Sequence, residues 1–378
     1  MTPSRTAFVL YFLRLGALGF GGPIALTGAM QRDLVEERGW VSKQDFLDGL
    51  ALAQLAPGPL AAQLAIYLGW VHARLLGATL VAAAFILPSF VMVLALSALY
   101  VRYGGLPWMQ GVFYGVGPAA IALIARGALK LARMTLGRDA LLWTLFAINA
   151  LVTAWTGQEV LWVFVSSGLV VLALRSRAAR RSPALGLAPF VGGLMTGLAG
   201  PAGGATLVQL AVYFAGAGTL VFGSGLAIVP FLHGGVVQGY HWLDERQFLD
   251  AVAVAMITPG PVVITVAFIG FLVAGPAGAT AAAIGVFLPC YLLVVLPAPY
   301  YRRFAGNASL RHFVAGVTAA AAGAIAGAAF LLGRRAIVDV PSALIGAAAL
   351  AVIMATRRIP EPIVILVAGG VGLLLRAA

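Results

Sequence analysis

Two Pro-Gly-Pro triplets, Pro57-Gly58-Pro59 and Pro259-Gly260-Pro261, interrupt long apolar runs. The leading proline blocks the helix before it and the trailing proline suits the first turn of the next. Each run is therefore predicted as two half-helices meeting at a break inside a membrane. A half-helix that starts at such a break aims unpaired amides and the positive end of its dipole into it, which is chemistry for holding an anion. Gln54, Gln63 and Tyr67 lie near the first triplet, and Thr258 and Thr265 near the second, all able to donate hydrogen bonds to oxygen atoms. Taken singly, each reads first as a polar residue of a helix interface; the pairing of the breaks makes the cluster the predicted substrate site.

A second pair of weak points precedes these. Gly16 to Pro23 carries four glycines, among them Gly21 and Gly22 beside Pro23, near the end of the first membrane helix, and Gly218 to Gly225 is its counterpart. Glycine exposes backbone and proline removes a donor, so unwound carbonyls or free amides could face a ligand there. Arg14, two residues ahead, either attracts the anion or snorkels to the interface. Asp48 and Asp250 share a register and are either helix-entry groups or carriers of a coupling proton. Arg126 and Lys130, four apart, read as interface anchors. His233 has no metal-ligand neighbours at useful spacing, Cys290 reads as an inert buried thiol, and no nucleophile stands beside a base. The expectation is a protein that is not an enzyme and needs no cofactor or metal.

The rest of the chain is suited to lipid. Of 378 residues 62% are hydrophobic and only 10% charged, against about 25% charged in soluble domains, and mean hydropathy is +1.01. Apolar stretches of roughly 20 residues recur, the length a helix needs to cross a bilayer. They lack the two-residue alternation of barrel strands. The net charge of +12 comes from arginines scattered over short loops, which fits orientation in a bilayer rather than nucleic-acid binding. The first apolar run is expected as a membrane helix, not a cleaved signal.

Residues 11–61 align with 213–263 without a gap: Tyr11 and Phe12 with Tyr213 and Phe214, Trp40 with Trp242, Phe46-Leu47-Asp48 with Phe248-Leu249-Asp250, and the two triplets with each other. After one deletion Leu87-Pro88 meets Leu288-Pro289 and Gly115-Val116 meets Gly316-Val317. The fold class expected is an all-α polytopic membrane protein of two homologous halves, 1–175 and 204–378, joined by a linker at 176–203. Helices are predicted at 6–28, 46–72 (interrupted), 75–99, 108–131, 139–155 and 159–175, and again at 204–228, 248–273 (interrupted), 276–298, 311–332, 337–355 and 360–376. If the apolar stretch 184–200 also crosses, the basic loops of both halves fall mostly inside. This favours an inverted repeat of about 13 helices; without that crossing there are 12.

Phe12-Leu13-Arg14-Leu15-Gly16, Phe20-Gly21-Gly22-Pro23, Arg38-Gly39-Trp40 and Ala56-Pro57-Gly58-Pro59 resemble the chromate transporter family. The second half resembles the second domain of its long members through Phe222-Gly223-Ser224-Gly225, Trp242, Phe248-Leu249-Asp250 and Thr258-Pro259-Gly260-Pro261. The resemblance implies a bacterial inner-membrane protein that exports chromate and confers chromate resistance, with sulfate as a related oxyanion and with inverted halves. It carries the family's motif onto Arg14, Gly21, Gly22, Pro23, Pro57, Gly58, Pro59, Pro259, Gly260 and Pro261. The expected partners are the oxyanion, the lipid bilayer and, in exchange, a proton; a homodimer is the one protein assembly considered.

Overall fold

The structure is a computed structural model that describes all residues except 1–2, 21, 104–106, 157–160, 177–203, 220–227, 302–307, 356–358, 360 and 378. The apolar stretch 184–200 of the linker and the motif at Phe222 to Gly225 therefore lie outside the described residues. In the first half α1 (Arg5–Leu18), opened by a Ser4 cap, is followed by α2 (Gly22–Met30), which continues as a π-helical turn, Gln31–Glu37. Then come α3 (Lys43–Leu55), capped by Ser42, and α4 (Leu60–Tyr103), α5 (Pro107–Leu136), α6 (Ala140–Thr156) and α7 (Leu161–Ser176). The second half repeats the series: α8 (Gly204–Gly218), α9 (Ile228–Leu232) with its own π turn, His233–Gly239, α10 (Glu245–Ile257), α11 (Thr265–Val295), α12 (Ala308–Ala336), α13 (Val340–Ala355) and α14 (Glu361–Ala377).

Among the described residues four stretches are long and apolar enough to cross a membrane: Leu60–Tyr103, Trp108–Arg133, Val262–Tyr300 and Arg311–Ala336. The chain is an all-α polytopic membrane protein with internal symmetry. Exposed Leu75, Leu76, Leu151 and Trp155 would be a liability in water and are the normal outer surface in lipid.

The longest helix is two helices. Within α4, Ala73 (φ −148°, ψ 36°) and Arg74 (φ 51°, ψ −138°) leave the helical region. A straight helix would hold residues 69 and 77 about 12 Å apart, yet their backbones touch, and Val81 packs on Gly69 as well. The arms 60–72 and 75–103 therefore lie side by side, as expected from the separation of 46–72 and 75–99. In α11 the same turn occurs at Ala274 and Gly275, with Gly270 against Gly278 and Ala282. Only small residues permit such an approach.

The interrupted runs turn back too. Gly49 packs against Leu64 and Tyr67, so α3 and the arm 60–72 form a hairpin whose tip is Ala56–Pro59, and not one interrupted crossing. Each arm spans about 20 Å, enough to reach the bilayer midplane. In the second half α10 folds back on α11 and its leading 3-10 turn, Val262–Ile264. The predicted helix 6–28 is likewise broken near Gly19, and the chain returns: the Tyr11 hydroxyl donates to Asp33 (3.1 Å), and Phe8 lies 6.3 Å from Trp40 and 4.4 Å from His72. Tyr213 repeats this by donating to the Phe231 carbonyl (2.8 Å) and packing on Tyr240 and Trp242.

The repeats are interwoven. α12 packs on α6 and α7 of the first half, α5 packs on α13 and α14 of the second, and α5 and α12 pack on each other. α1 lies on α4, α8 on α11, and α4 on α11. Phe8, Phe12, Phe85, Phe214, Phe248 and Phe268 are fully buried in the joint core, where tight packing replaces the hydrophobic drive that lipid cannot supply.

Candidate functional site: the two hairpin tips

Each tip is held from within its own arm. At the first, the Gln63 side-chain amide donates to the Pro57 carbonyl (2.7 Å) and the Gln63 backbone amide donates to Pro59 (3.0 Å). Gly58 takes φ 144°, a conformation open to glycine. At the second, Gly260 takes φ 96° and the Ile264 amide donates to Pro261 (2.9 Å).

Each tip also docks on the other repeat. The Gly260 amide donates to the Gly19 carbonyl (2.9 Å), where α1 ends, and Gly260 is pressed against Ser89. The Ser89 hydroxyl reaches the Gly16 carbonyl (3.3 Å). In the mirror arrangement a side chain on Gly58 would lie 3.1 Å from Cys290 Sγ, which faces the Gly218 carbonyl at 3.7 Å. Ser89 and Cys290 share a repeat register, as do Gly16 and Gly218. Ser89 is at the middle of the arm 75–103, so the contact lies halfway along that arm. Neither Ser89 nor Cys290 was singled out as a site residue from sequence; their common register behind Leu87-Pro88 and Leu288-Pro289 was the available signal.

Three of the side-chain donors predicted for the site are already engaged. Thr258 donates to Val254 (2.7 Å), Thr265 to Val262 (2.7 Å), and Gln63 to Pro57. What remains at each tip is backbone: the first-turn amides of Leu60, Ala61 and Ala62, all in buried residues, and of Val262 and Val263. Helix geometry gives such amides no intrahelical partner. Gln63 Oε1 is buried with no partner among the described residues, a state that costs about 1–3 kcal/mol if the tip stays dry. Water or a protonated oxygen would satisfy it.

Other predicted residues lie apart. Arg14 is exposed, on the side of α1 opposite Phe12, and Gln54 is exposed near the end of α3. Gly21 is outside the described residues, and Gly22 and Pro23 begin α2. Asp48 bonds Gln44 (2.8 Å) towards the base of the first hairpin, whereas Asp250 is buried and accepts from Tyr100 (2.8 Å). His233, also buried, has Nε2 2.9 Å from Glu245 and 2.8 Å from Arg335, and Arg335 pairs with Glu245. This cluster ties the base of the second hairpin to α12; with Glu245 and Arg335 so far apart in the chain, only the tertiary fold could show it.

A cavity of about 350 Å³ lined by Ala125, Ala128, Leu129, Phe146, Ala326 and Phe330 opens between α5, α6 and α12. Its apolar lining could not compensate the desolvation of an anion, so it is not a candidate oxyanion site. Among the described residues no three His, Cys, Asp or Glu side chains are grouped to hold a metal ion.

No solved structure matches the chain. It is 55% identical over 371 residues, 97% of this chain and 92% of the relative, to the chromate transport protein of Cupriavidus metallidurans. It is 54% identical over 368 residues, 96% of this chain and 94% of the relative, to the probable chromate transport protein of Synechococcus elongatus. To the chromate transport protein of Pseudomonas aeruginosa it is 32% identical over 375 residues, 95% and 89% of the two chains. The family model described as chromate transporter matches twice, at residues 6–172 and 208–373. Two matches in tandem, one for each half of the helical series, establish that the chain belongs to the chromate transporter family as a long, two-domain member, a transporter and not an enzyme.

Proposed function

We propose that this protein exports chromate from the cytoplasm across the bacterial inner membrane and so confers chromate resistance, as a secondary transporter whose oxyanion binds at the hairpin tips. The observation that carries the reading is the duplicated tip: buried first-turn amides at mid-depth, each tip docked on the opposite repeat. A tetrahedral dianion matches this donor set. Sulfate offers the same oxygens to the same amides, so transport of sulfate or another inorganic oxyanion, in either direction, is the second reading. An inside-negative potential favours outward movement of an anion by about 2.3 kcal/mol per charge per 100 mV.

The mechanism calls for inverted repeats, 1–175 and 204–378, joined by 176–203. Phe8, Trp40, His72 and the Arg175–Asp139 ion pair support one common face for the first repeat's hairpin base and for the end of α7. Tyr100 with Asp250, Arg335 with Glu245, and Tyr114 with Asp339 and Arg376 support the opposite face for the second hairpin's base. Each hairpin then enters from its own side and both reach mid-depth, where one repeat can rock against the other. In this scheme four stretches cross in each repeat, 75–103, α5, α6 and α7 in the first, while α1–α2 and the hairpin return. Inverted repeats require the two ends of the chain to lie on opposite sides, the odd parity expected from charge. A reporter tag at the C-terminus should therefore read out opposite to one at the N-terminus; tags on the same side would remove the inversion.

The functional test is radiolabelled flux in proteoliposomes. Saturable chromate flux competed by sulfate is expected, and Pro57→Ala or Pro259→Ala should abolish it while leaving membrane insertion. Unsaturable flux, or normal flux in both variants, would sink the tip model.

A further inference from the structure

Tyr100 stands near the end of the arm 75–103, and its hydroxyl donates to Asp250 Oδ2 at 2.8 Å, across the boundary between repeats. Its ring is wedged edge-on against Phe268 of the second hairpin (5.2 Å) and Phe113 of α5 (5.6 Å). The repeat register that pairs Ser89 with Cys290 also pairs Tyr100 with Tyr301. Tyr301 is buried and within electrostatic reach of Asp48, the register mate of Asp250. The residue types thus recur in crossed register, a tyrosine at the end of each repeat's spanning arm and a carboxylate in the other repeat's hairpin, with the hydrogen bond formed at Tyr100 and Asp250.

The two copies differ in setting. Asp48 has Gln44 beside it (2.8 Å) and is half-buried, while Asp250 is 5% exposed. Among the described residues the titratable and charged groups acting on Asp250 are Tyr100 from α4 and, from its own helix and cap, Arg246 and Asp244. Movement of the hairpin away from α4 removes the Tyr100 donor and leaves a buried carboxylate whose charge is costly to keep. Taking up a proton removes that cost, so separation and protonation favour each other. Asp250 and Pro259 lie nine residues apart along one arm, about 13 Å, and a rigid arm transmits the movement to the tip.

We propose that the pair Tyr100–Asp250 is a latch between repeats that opens and closes in transport, and that Asp250 carries the coupling proton. The latch role rests on the reading of the tips as the oxyanion site, and the test separates the two. The full chain is reconstituted with its cysteine moved from 290 to 89 (S89C/C290S), which places a thiol against the second tip; N-ethylmaleimide labelling, expressed at each pH relative to the same protein unfolded so that the ionisation of the thiol itself cancels, and chromate and sulfate flux are followed against pH. With Asp250 intact, flux and labelling are expected to change by up to about tenfold per pH unit over part of the range, the limit for one proton. Asp250→Asn should flatten both profiles. Tyr100→Phe, which keeps the ring packing, should raise labelling several-fold and move the midpoint of both profiles to higher pH, because the carboxylate has lost its donor. A pH-independent parent, or an Asp250→Asn profile like the parent's, overturns the proton role. Unchanged labelling and midpoint in Tyr100→Phe overturn the latch. Labelling that neither oxyanion alters overturns the tip site instead, whatever the pH profiles show.

Discussion

Gly260→Ala is expected to lower oxyanion flux by about 30-fold or more while the protein still inserts, the strain at that position being of order 1–3 kcal/mol before any clash is counted. Gly260 sits at φ 96°, where an L side chain is strained, and the new methyl would run into the Ser89 hydroxyl. Either the tip backs away from α4, losing the hydrogen bond from Gly260 to Gly19, or the backbone of the tip shifts. Ser89→Ala removes the oxygen the methyl meets, with the Ser89 Cβ itself 3.1 Å away. The double variant should therefore recover part of the loss, a positive coupling in a double-mutant cycle. Gly58→Ala is expected to cost less, because its nearest obstacle is the far end of the Gln63 side chain, which can yield at the expense of its bond to Pro57. Radiolabelled flux, normalised to inserted protein, measures all four; additive losses for Gly260 and Ser89 would show that the tip does not dock as described.

Gly270→Leu should remove the folded transporter altogether, seen as loss of the monodisperse peak in detergent. Gly270 meets Gly278 backbone to backbone and Ala282 through its side chain, and nothing there can yield, so overpacking by a whole side chain exceeds the usual cost of about 1–3 kcal/mol. Gly275, five residues on at the turn itself, is the control. It has φ 61° but open space where a side chain would go. Its register mate is Arg74, which holds φ 51° and lays its guanidinium 4.5 Å from the centre of the Trp70 ring. Gly275→Arg should accordingly fold and transport, at a stability cost of about 1 kcal/mol. Equal damage from both substitutions would mean that the turn, and not the helix contact, is the sensitive feature.

The Pro-Gly-Pro triplets were legible as breaks because proline and glycine act locally: they remove a donor and a side chain wherever they stand. Which side chains would serve the anion was not legible. Gln63, Thr258 and Thr265 carry suitable donors, but each finds a carbonyl within a turn or two of its own chain, a competition that composition does not reveal. Ser89 and Cys290 looked like ordinary small residues of a membrane helix until the opposite tips were placed against them.

From sequence alone come the membrane setting, the helical class, the duplication and its register, because hydropathy over a helix length and the repeated Trp, Asp and Pro-Gly-Pro positions are properties of the chain. The direction taken after each break is not such a property. A Pro-Gly-Pro run can pass a helix onward with a kink or send it back, and the choice falls to whatever the next arm can pack against. Here Gly49 against Tyr67 and Leu64, and Gly69 against Gly77, reward the return. Tertiary structure alone decided that the returning hairpins cross between repeats, since long-range packing joins residues whose separation leaves no periodic trace in the sequence. That crossing is what sets Gly260 against Ser89 and Asp250 against Tyr100.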